Sequence, residues 1–422
     1  MRLQREAIRT LGTTVNKHGQ YFNKSRKKVI MKRICFLING DYHTESRAQK
    51  MCHSLSVNGY QVVVLVWDRT GKLPQIEYDG SIKIINIKVK CPRGSGIKAA
   101  PKLLMTFPKY FVYLRKFSPD IIHCQNFFLW PISLLFGYLF KSKVIFDSLE
   151  PYAEQKASYF FNGSKLVKNI LWFLEKGMFK RADKRITVTE GMATRYIAGD
   201  SEDVSVILNT PNLHFDGVRK YRDNNIFTIG RVGGIDASYS GVDKLINAVR
   251  HLNTNGIQVK LILGGPIYGG FNKDFNKLVK ENADFVKYIG IVPYKKLPSI
   301  LAGFDCIVAP YQETTKGIKY GYAVKMFEAM AVGVPVIITN IFEGGRIIEN
   351  YQCGLLLEPP ATVKQIAEKI KQLVLNPTLC QELGQNGRRA FESKFNWRIS
   401  EVTLLQIYSE LLKTLKEMNN EV

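Results

Sequence analysis

A chain of 422 residues, 45% of them hydrophobic, is too long for one ordinary core and apolar enough to fill two, which excludes disorder over its whole length. The formal net charge of +24 suits an anionic partner, with a general effect on solubility as the plainer alternative. No zinc-finger spacing, RNP-like aromatic strand motif or basic zipper accompanies it, so no nucleic acid is expected, whereas an anionic membrane surface attracts the same charge. The seven cysteines (Cys35, Cys52, Cys91, Cys124, Cys306, Cys353 and Cys380) are scattered and form no C-x-x-C pair. This argues against a disulfide framework or zinc site and for a reducing compartment.

Residues 1–32 read as a basic extension with eight cations against one acid in the first 30, and without the apolar core of a signal peptide. RICFLI (33–38) is a short strand. A polar turn, GDYHTE (40–45), leads to a helical pattern of Ala48, Met51, Cys52, Leu55 and Val57, and QVVVLVW (61–67) is the next strand. Strand, helix and strand in that order form a parallel crossover unit, and continuous apolar runs indicate a sheet covered on both faces. IKIINI (82–87), DIIH (120–123), KVIFD (143–147), KRITV (184–188) and VSVIL (204–208) continue the pattern, with a helix over 165–181. The run FFLWPISLLFGYLF from Phe127 is about 14 residues, too short to span a bilayer and interrupted by Pro131. The first domain is therefore 33–210, and the polar, proline-containing stretch 211–225 is the linker.

A second domain, 226–395, restarts with NIFTIGR (225–231), a helix over 242–252 and QVKLILGG (258–265); DFVKYIG, DCIVAP and VPVIIT follow. The fold class is thus α/β, with two Rossmann-like domains facing across a cleft lined by the carboxyl ends of their sheets. The tail, 396–422, carries one apolar stripe (Ile399, Val402, Leu405, Tyr408, Leu411, Leu412, Leu415) and either caps the second domain or crosses back to the first.

A phosphate-bearing ligand needs cations and free backbone N–H groups, which glycine turns entering helices supply. Arg231 with Gly233 and Gly234 in GRVGG, and Gly264 with Gly265 in GGPIYGG, stand at strand ends on that rim. In KYGYAVKMFEAMAVGVPVIIT (319–339), Lys325 and Glu328 share a helix face. Lys325 suits a phosphate, and the paired acceptors of Glu328 suit the vicinal hydroxyls of a ribose. An intrahelical ion pair is the plainer alternative. On the other domain His43, Arg47, His123, Asp147 and Glu150 lie at strand ends or in the first loop, equally suited to touch an acceptor or to be satisfied core and rim residues.

The second half resembles the retaining glycosyltransferases of family 4 with the GT-B architecture. GRVGG (230–234), KLILGG (260–265), the segment 286–311, FEAMAVGVPVIIT (327–339) and CGLLLEPP (353–360) carry the resemblance, which is looser in SRAQKMCHSLSVNGYQVVVLVW (46–67), FDSLE (146–150) and 181–196. The resemblance implies a nucleotide-sugar donor, Arg231 on the diphosphate and Glu328 on the ribose. Three positions depart from the family pattern. Tyr320 stands where the first glutamate of a pair is expected, Ser240 where a lysine is expected, and Leu149 where a histidine is expected. Lys325 is positioned to replace the lost charge.

No D-x-D triplet occurs in the chain, so the expected chemistry needs no divalent metal and no cofactor beyond the nucleotide sugar. The expected activity is transfer of a sugar with retention to a lipid-linked or glycan acceptor in polysaccharide biosynthesis. A non-catalytic relative that supports a partner enzyme and a sugar-nucleotide epimerase are the competing readings. Eight Lys or Arg and no acid between 88 and 116, and the aromatic, basic stretch 158–181, suggest a peripheral position on the cytoplasmic face of an anionic membrane.

Overall fold

A computed structural model describes residues 14–15, 21–22, 31–91, 99–161, 163–197, 204–212, 226–268, 270–312, 320–341 and 343–420. Most of the basic extension and of the expected linker lies outside these. Within the extension, Thr14–Val15 and Tyr21–Phe22 pair as two short antiparallel strands.

The first domain contains strands β1 (Arg33–Ile38), β2 (Gln61–Asp68), β3 (Ile76–Asp79), β4 (Ile82–Lys88), β5 (Ile121–Cys124), β6 (Lys143–Ser148), β7 (Lys184–Thr187) and β8 (Val204–Val206). They form one sheet in the order β8-β7-β6-β5-β1-β2-β4-β3, parallel except for the β3–β4 pair. Its helices are α1 (Ser46–Val57), α2 (Ala99–Leu104), α3 (Phe107–Phe117), α4 (Trp130–Phe140), α5 (Tyr152–Phe160), α6 (Lys165–Lys180) and α7 (Glu190–Ile197). The second domain has a six-stranded, wholly parallel sheet of β9 (Phe227–Val232), β10 (Val259–Gly264), β11 (Val286–Tyr288), β12 (Cys306–Ala309), β13 (Val336–Thr339) and β14 (Gly354–Leu357), in the order β11-β10-β9-β12-β13-β14. Around it run α8 (Val242–Thr254), α9 (Asn272–Glu281), α10 (Leu297–Leu301), α11 (Val324–Val332), α12 (Gly345–Tyr351), α13 (Val363–Leu375) and α14 (Pro377–Ser393). The last helix is α15 (Trp397–Asn420).

Both sheets are buried on both sides, which is why their strands read as continuous apolar runs. Along β1, Ile34, Phe36 and Ile38 pack with α1 and α15, while Cys35 and Leu37 face α3, α4 and α6. Helix α15 is thus part of the first domain's core, with Trp397, Leu404, Ile407, Tyr408 and Leu411 against that sheet. All seven cysteines are buried free thiols. Three local expectations fail, the first in the tail's apolar stripe, where Ile399 and Val402 are 47% and 62% exposed. Val57 is 65% exposed although it fits the helical pattern, because it falls in the last turn of α1. β3 was not anticipated, since as an antiparallel edge strand it is largely exposed and carries no apolar run.

Candidate functional site

β9 and β10 are parallel neighbours in register, with Val232 opposite Gly264, so the turns that follow them leave the sheet side by side. Gly233 N–H donates to Gly264 O at 2.8 Å and Gly265 N–H to Gly290 O at 2.8 Å, which fastens three loops together. Gly233 (φ 135°) and Gly265 (φ 122°) occupy backbone conformations that side chains disfavour. Contact also requires both glycines. A Cβ on Gly265 would fall 2.3 Å from Gly233 O, and one on Gly233 would fall 2.0 Å from Lys325 Nζ.

Lys325 and Glu328 come from the first turns of α11, whose N-terminus has no side-chain cap. With Gly233, Gly265 and Tyr294 they line a cavity of about 170 Å³ at the carboxyl edge of the sheet. Its floor is glycine backbone, and its wall carries one cation, one carboxylate and one aromatic ring. Burial pushes the Glu328 carboxyl upward, and Lys325 and then Lys50 of the first domain offset part of that rise. This is an environment for a ligand with an anionic group and hydroxyl donors.

Arg231 is not on that wall. Its side chain is fully buried, and both terminal nitrogens donate to Gly234 O at 3.1 Å, while Nε has no partner among the described atoms. Burial lowers its pKa from the usual guanidinium value. Arg231 therefore braces the Gly233–Gly234 turn from behind, because a strand-terminal side chain on this face of β9 points under the turn it precedes. Ser240 is likewise internal and bonds back to Asp236 at both its carbonyl and its N–H. The Tyr320 carbonyl accepts from Thr189 Oγ of the first domain at 2.6 Å, and its ring packs against that domain's core.

The first-domain candidates divide in two. Arg47 and Asp147 form a buried, two-point ion pair at 2.9 and 2.8 Å. Gln125 Nε2 donates to the same carboxylate at 3.0 Å, His123 lies 3.4 Å from it, and the other imidazole nitrogen meets Tyr408 Oη of α15 at 2.8 Å. Burial raises the Asp147 carboxyl, but Arg47 and His123 more than offset this and hold it well below the usual range. Burial lowers the His123 pKa. These three expected acceptor residues are thus partnered core groups. His43, half exposed beside Glu77 at 3.1 Å, and Glu150, exposed after β6, do lie on the surface.

Residues 44–210 match the family model described as "Glycosyl transferase 4-like domain", and residues 211–390 match "Glycosyl transferases group 1". Both halves of the chain are glycosyltransferase domains. The chain is 29% identical over 200 residues to an uncharacterised glycosyltransferase of Methanocaldococcus jannaschii, a match covering 47% of this chain and 53% of that one. It is 28% identical over 193 residues to the capsular polysaccharide biosynthesis glycosyltransferase CapM of Staphylococcus aureus, covering 45% and 48%. The chain thus spans about half the length of these curated relatives. Sucrose-phosphate synthase from Thermosynechococcus elongatus superposes with a TM-score of 0.71 at 18% identity, covering 91% of this chain and 100% of that chain. Anabaena HepE, solved with UDP-glucose, gives 0.63 at 16% identity, covering 90% and 99%. The chain shares the GT-B fold of these structures.

Two residues near the cleft were not singled out in the sequence. Glu343 accepts from Gly191 N–H across the domains at 2.8 Å, and Lys50 meets the interdomain connection. Glu343 stands in none of the quoted motifs, nothing in the 46–67 segment distinguishes Lys50, and the packing of the two domains brings both to the cleft.

Proposed function

We propose that the chain transfers a sugar with retention from a nucleotide-sugar donor to a lipid-linked or glycan acceptor. The observation that carries this is the convergence of Gly233, Gly265, Lys325 and Glu328 on one cavity within glycosyltransferase domains. Lys325 and the backbone N–H groups of the glycine turns meet the donor diphosphate and stabilise the charge that develops on it as the sugar leaves. Glu328 accepts from the ribose hydroxyls. Gly264 and Gly234 shape the turns, and Arg231 contributes by bracing them. Anabaena HepE binds UDP and UDP-glucose, which makes UDP-sugars the first donors to test.

The test is a calorimetric titration of UDP-, GDP- and ADP-sugars in EDTA. One of them binds without metal, since a lysine and helix dipole supply the positive charge. Glu328→Gln weakens that binding by roughly 1.5–3 kcal/mol, the scale of a charge-assisted hydrogen bond. The loss is smaller for the matching 2′-deoxynucleotide, which lacks one of the two hydroxyls. Equal losses for both forms, or binding restored only by divalent metal, contradict the assignment.

A second observation supports an acceptor at a membrane. Helices α3, α4 and α6 lie side by side on one face of the first domain, and Val112, Tyr138, Leu166, Ile170 and Phe173 project from them, with Tyr138 86% and Phe173 77% exposed. Lys109, Arg115, Lys116, Lys165 and Lys168 share these helices. Apolar side chains at the headgroup boundary with lysines facing anionic lipid give peripheral attachment on the cytoplasmic face. Among the described residues no helix is long and apolar enough to cross a membrane. Co-sedimentation with liposomes rises with anionic lipid, falls at about 0.5 M salt, and is reduced when Lys102, Lys109, Arg115 and Lys116 become Gln. Equal binding to neutral and anionic liposomes contradicts the electrostatic attachment.

A further inference from the structure

We propose that Lys50 is a positioning residue of the donor site, supplied by the opposite domain, whose ammonium adds positive charge to the site. The inference rests on the nucleotide-sugar reading above. Lys50 projects from α1, and its Nζ donates to Asn209 Oδ1 at 3.0 Å and to Thr210 O at 2.5 Å in the segment leaving the first domain. It also lies 5.0 Å from the ring centroid of Trp397, where the chain returns. Trp397 is itself tied to both sides, through its N–H to Pro211 O at 2.8 Å and its Nε1 to Ser54 Oγ at 3.0 Å. Lys50 thus sits where both crossings between the domains meet α1.

Across the cleft Lys50 acts electrostatically on Glu328, and Glu328 on Lys50. Tyr294 marks how near the two are. It lines the small cavity with Lys325 and Glu328, and also a larger one of about 950 Å³ with Lys50 and Trp397. A donor seated on Lys325 therefore brings its diphosphate into the field of the Lys50 ammonium. Burial, then Arg47, pull the Lys50 pKa down to about 7 against the raising effect of Glu328. The other ionisable groups around the larger cavity are His43, His53, Asp79, Arg398 and Glu401. An anionic donor opposes the depression, so donor binding near neutral pH draws a proton onto Lys50.

The experiment is calorimetry of UDP-glucose, UDP-galactose, GDP-mannose and ADP-glucose binding at about pH 7.5, in buffers of different ionisation enthalpy, where the buffer dependence reads protons taken up. The intact chain is expected to take up a fraction of a proton with the nucleotide sugar that binds. Lys50→Arg, whose charge is fixed, abolishes the uptake while affinity stays within a few-fold. Lys50→Met abolishes the uptake and weakens binding about tenfold or more, as loss of a charged contact should. Uptake that persists in Lys50→Arg assigns the proton to His43 or His53 and overturns the proposal. So does unchanged affinity in Lys50→Met. Failure of all four sugars to bind the intact chain overturns the donor reading itself, and this inference with it.

Discussion

Replacing Asp147 with alanine lowers the stability of the first domain by about 3–5 kcal/mol, the cost of leaving a buried charge without its partner. Arg47 is almost wholly buried, and Asp147 is its only carboxylate at salt-bridge distance among the described residues. The same carboxylate accepts from Gln125 and approaches His123. The measurement has a convenient probe. All four tryptophans (Trp67, Trp130, Trp172 and Trp397) pack in clusters of the first domain, so tryptophan fluorescence during urea unfolding follows that domain alone. Its midpoint should fall sharply in Asp147→Ala and less in Asp147→Asn, which keeps the shape and part of the hydrogen bonding. The pH dependence has a defined sign. A carboxyl held below its unfolded value of about 3.9 stabilises the fold above that pH and loses its contribution as the pH falls through the folded value. Asp147→Asn should therefore flatten the loss of stability in acid. A midpoint unchanged in Asp147→Ala would mean that the cluster does not hold the domain.

Gly233→Ala should abolish donor binding while leaving the second domain folded. The added methyl demands the space of Lys325 Nζ, and the φ of 135° is strained for any side chain by about 1–3 kcal/mol. The lysine is displaced from the cavity just where the diphosphate needs it. Gly256→Ala is the control. It has a positive φ of 81° but no atom within 4 Å of the new methyl, so it bears backbone strain without touching the site. Donor titration should separate the two, with Gly256→Ala binding normally. Equal affinities for Gly233→Ala and the unaltered chain would remove the glycine turn from the donor site.

The fold was legible because its signals are local. A doubly covered parallel sheet needs continuous apolar strands, and GRVGG and GGPIYGG mark the ends of two strands that stop side by side. The placement of Lys325 and Glu328 on the wall of one cavity was readable for the same reason, since they are three residues apart on one helix. Arg231 was not, since whether a strand-end side chain turns toward the cleft or under its own turn depends on Gly234, and no spacing reveals that. His123 and Asp147 at strand ends look identical to catalytic groups in sequence. Their partners decide otherwise, and Arg47 and Tyr408 lie 100 residues before Asp147 and 285 residues after His123. Lys50 was invisible because its neighbours come from both domain crossings and from the opposite domain.

The path of the last helix has a consequence for how the molecule is made. α15 fills one face of the first sheet, where Leu404, Ile407, Tyr408 and Leu411 are almost wholly enclosed and Tyr408 closes the hydrogen bond to His123. During synthesis, the first domain emerges from the ribosome with that face covered by α1 but not by α15, and it stays so while the second domain is translated. The second domain, continuous in the chain, can complete its core before the first. The order of maturation thus reverses the order of synthesis, and the nascent protein carries a partly uncovered apolar sheet, a surface for chaperones, until α15 arrives.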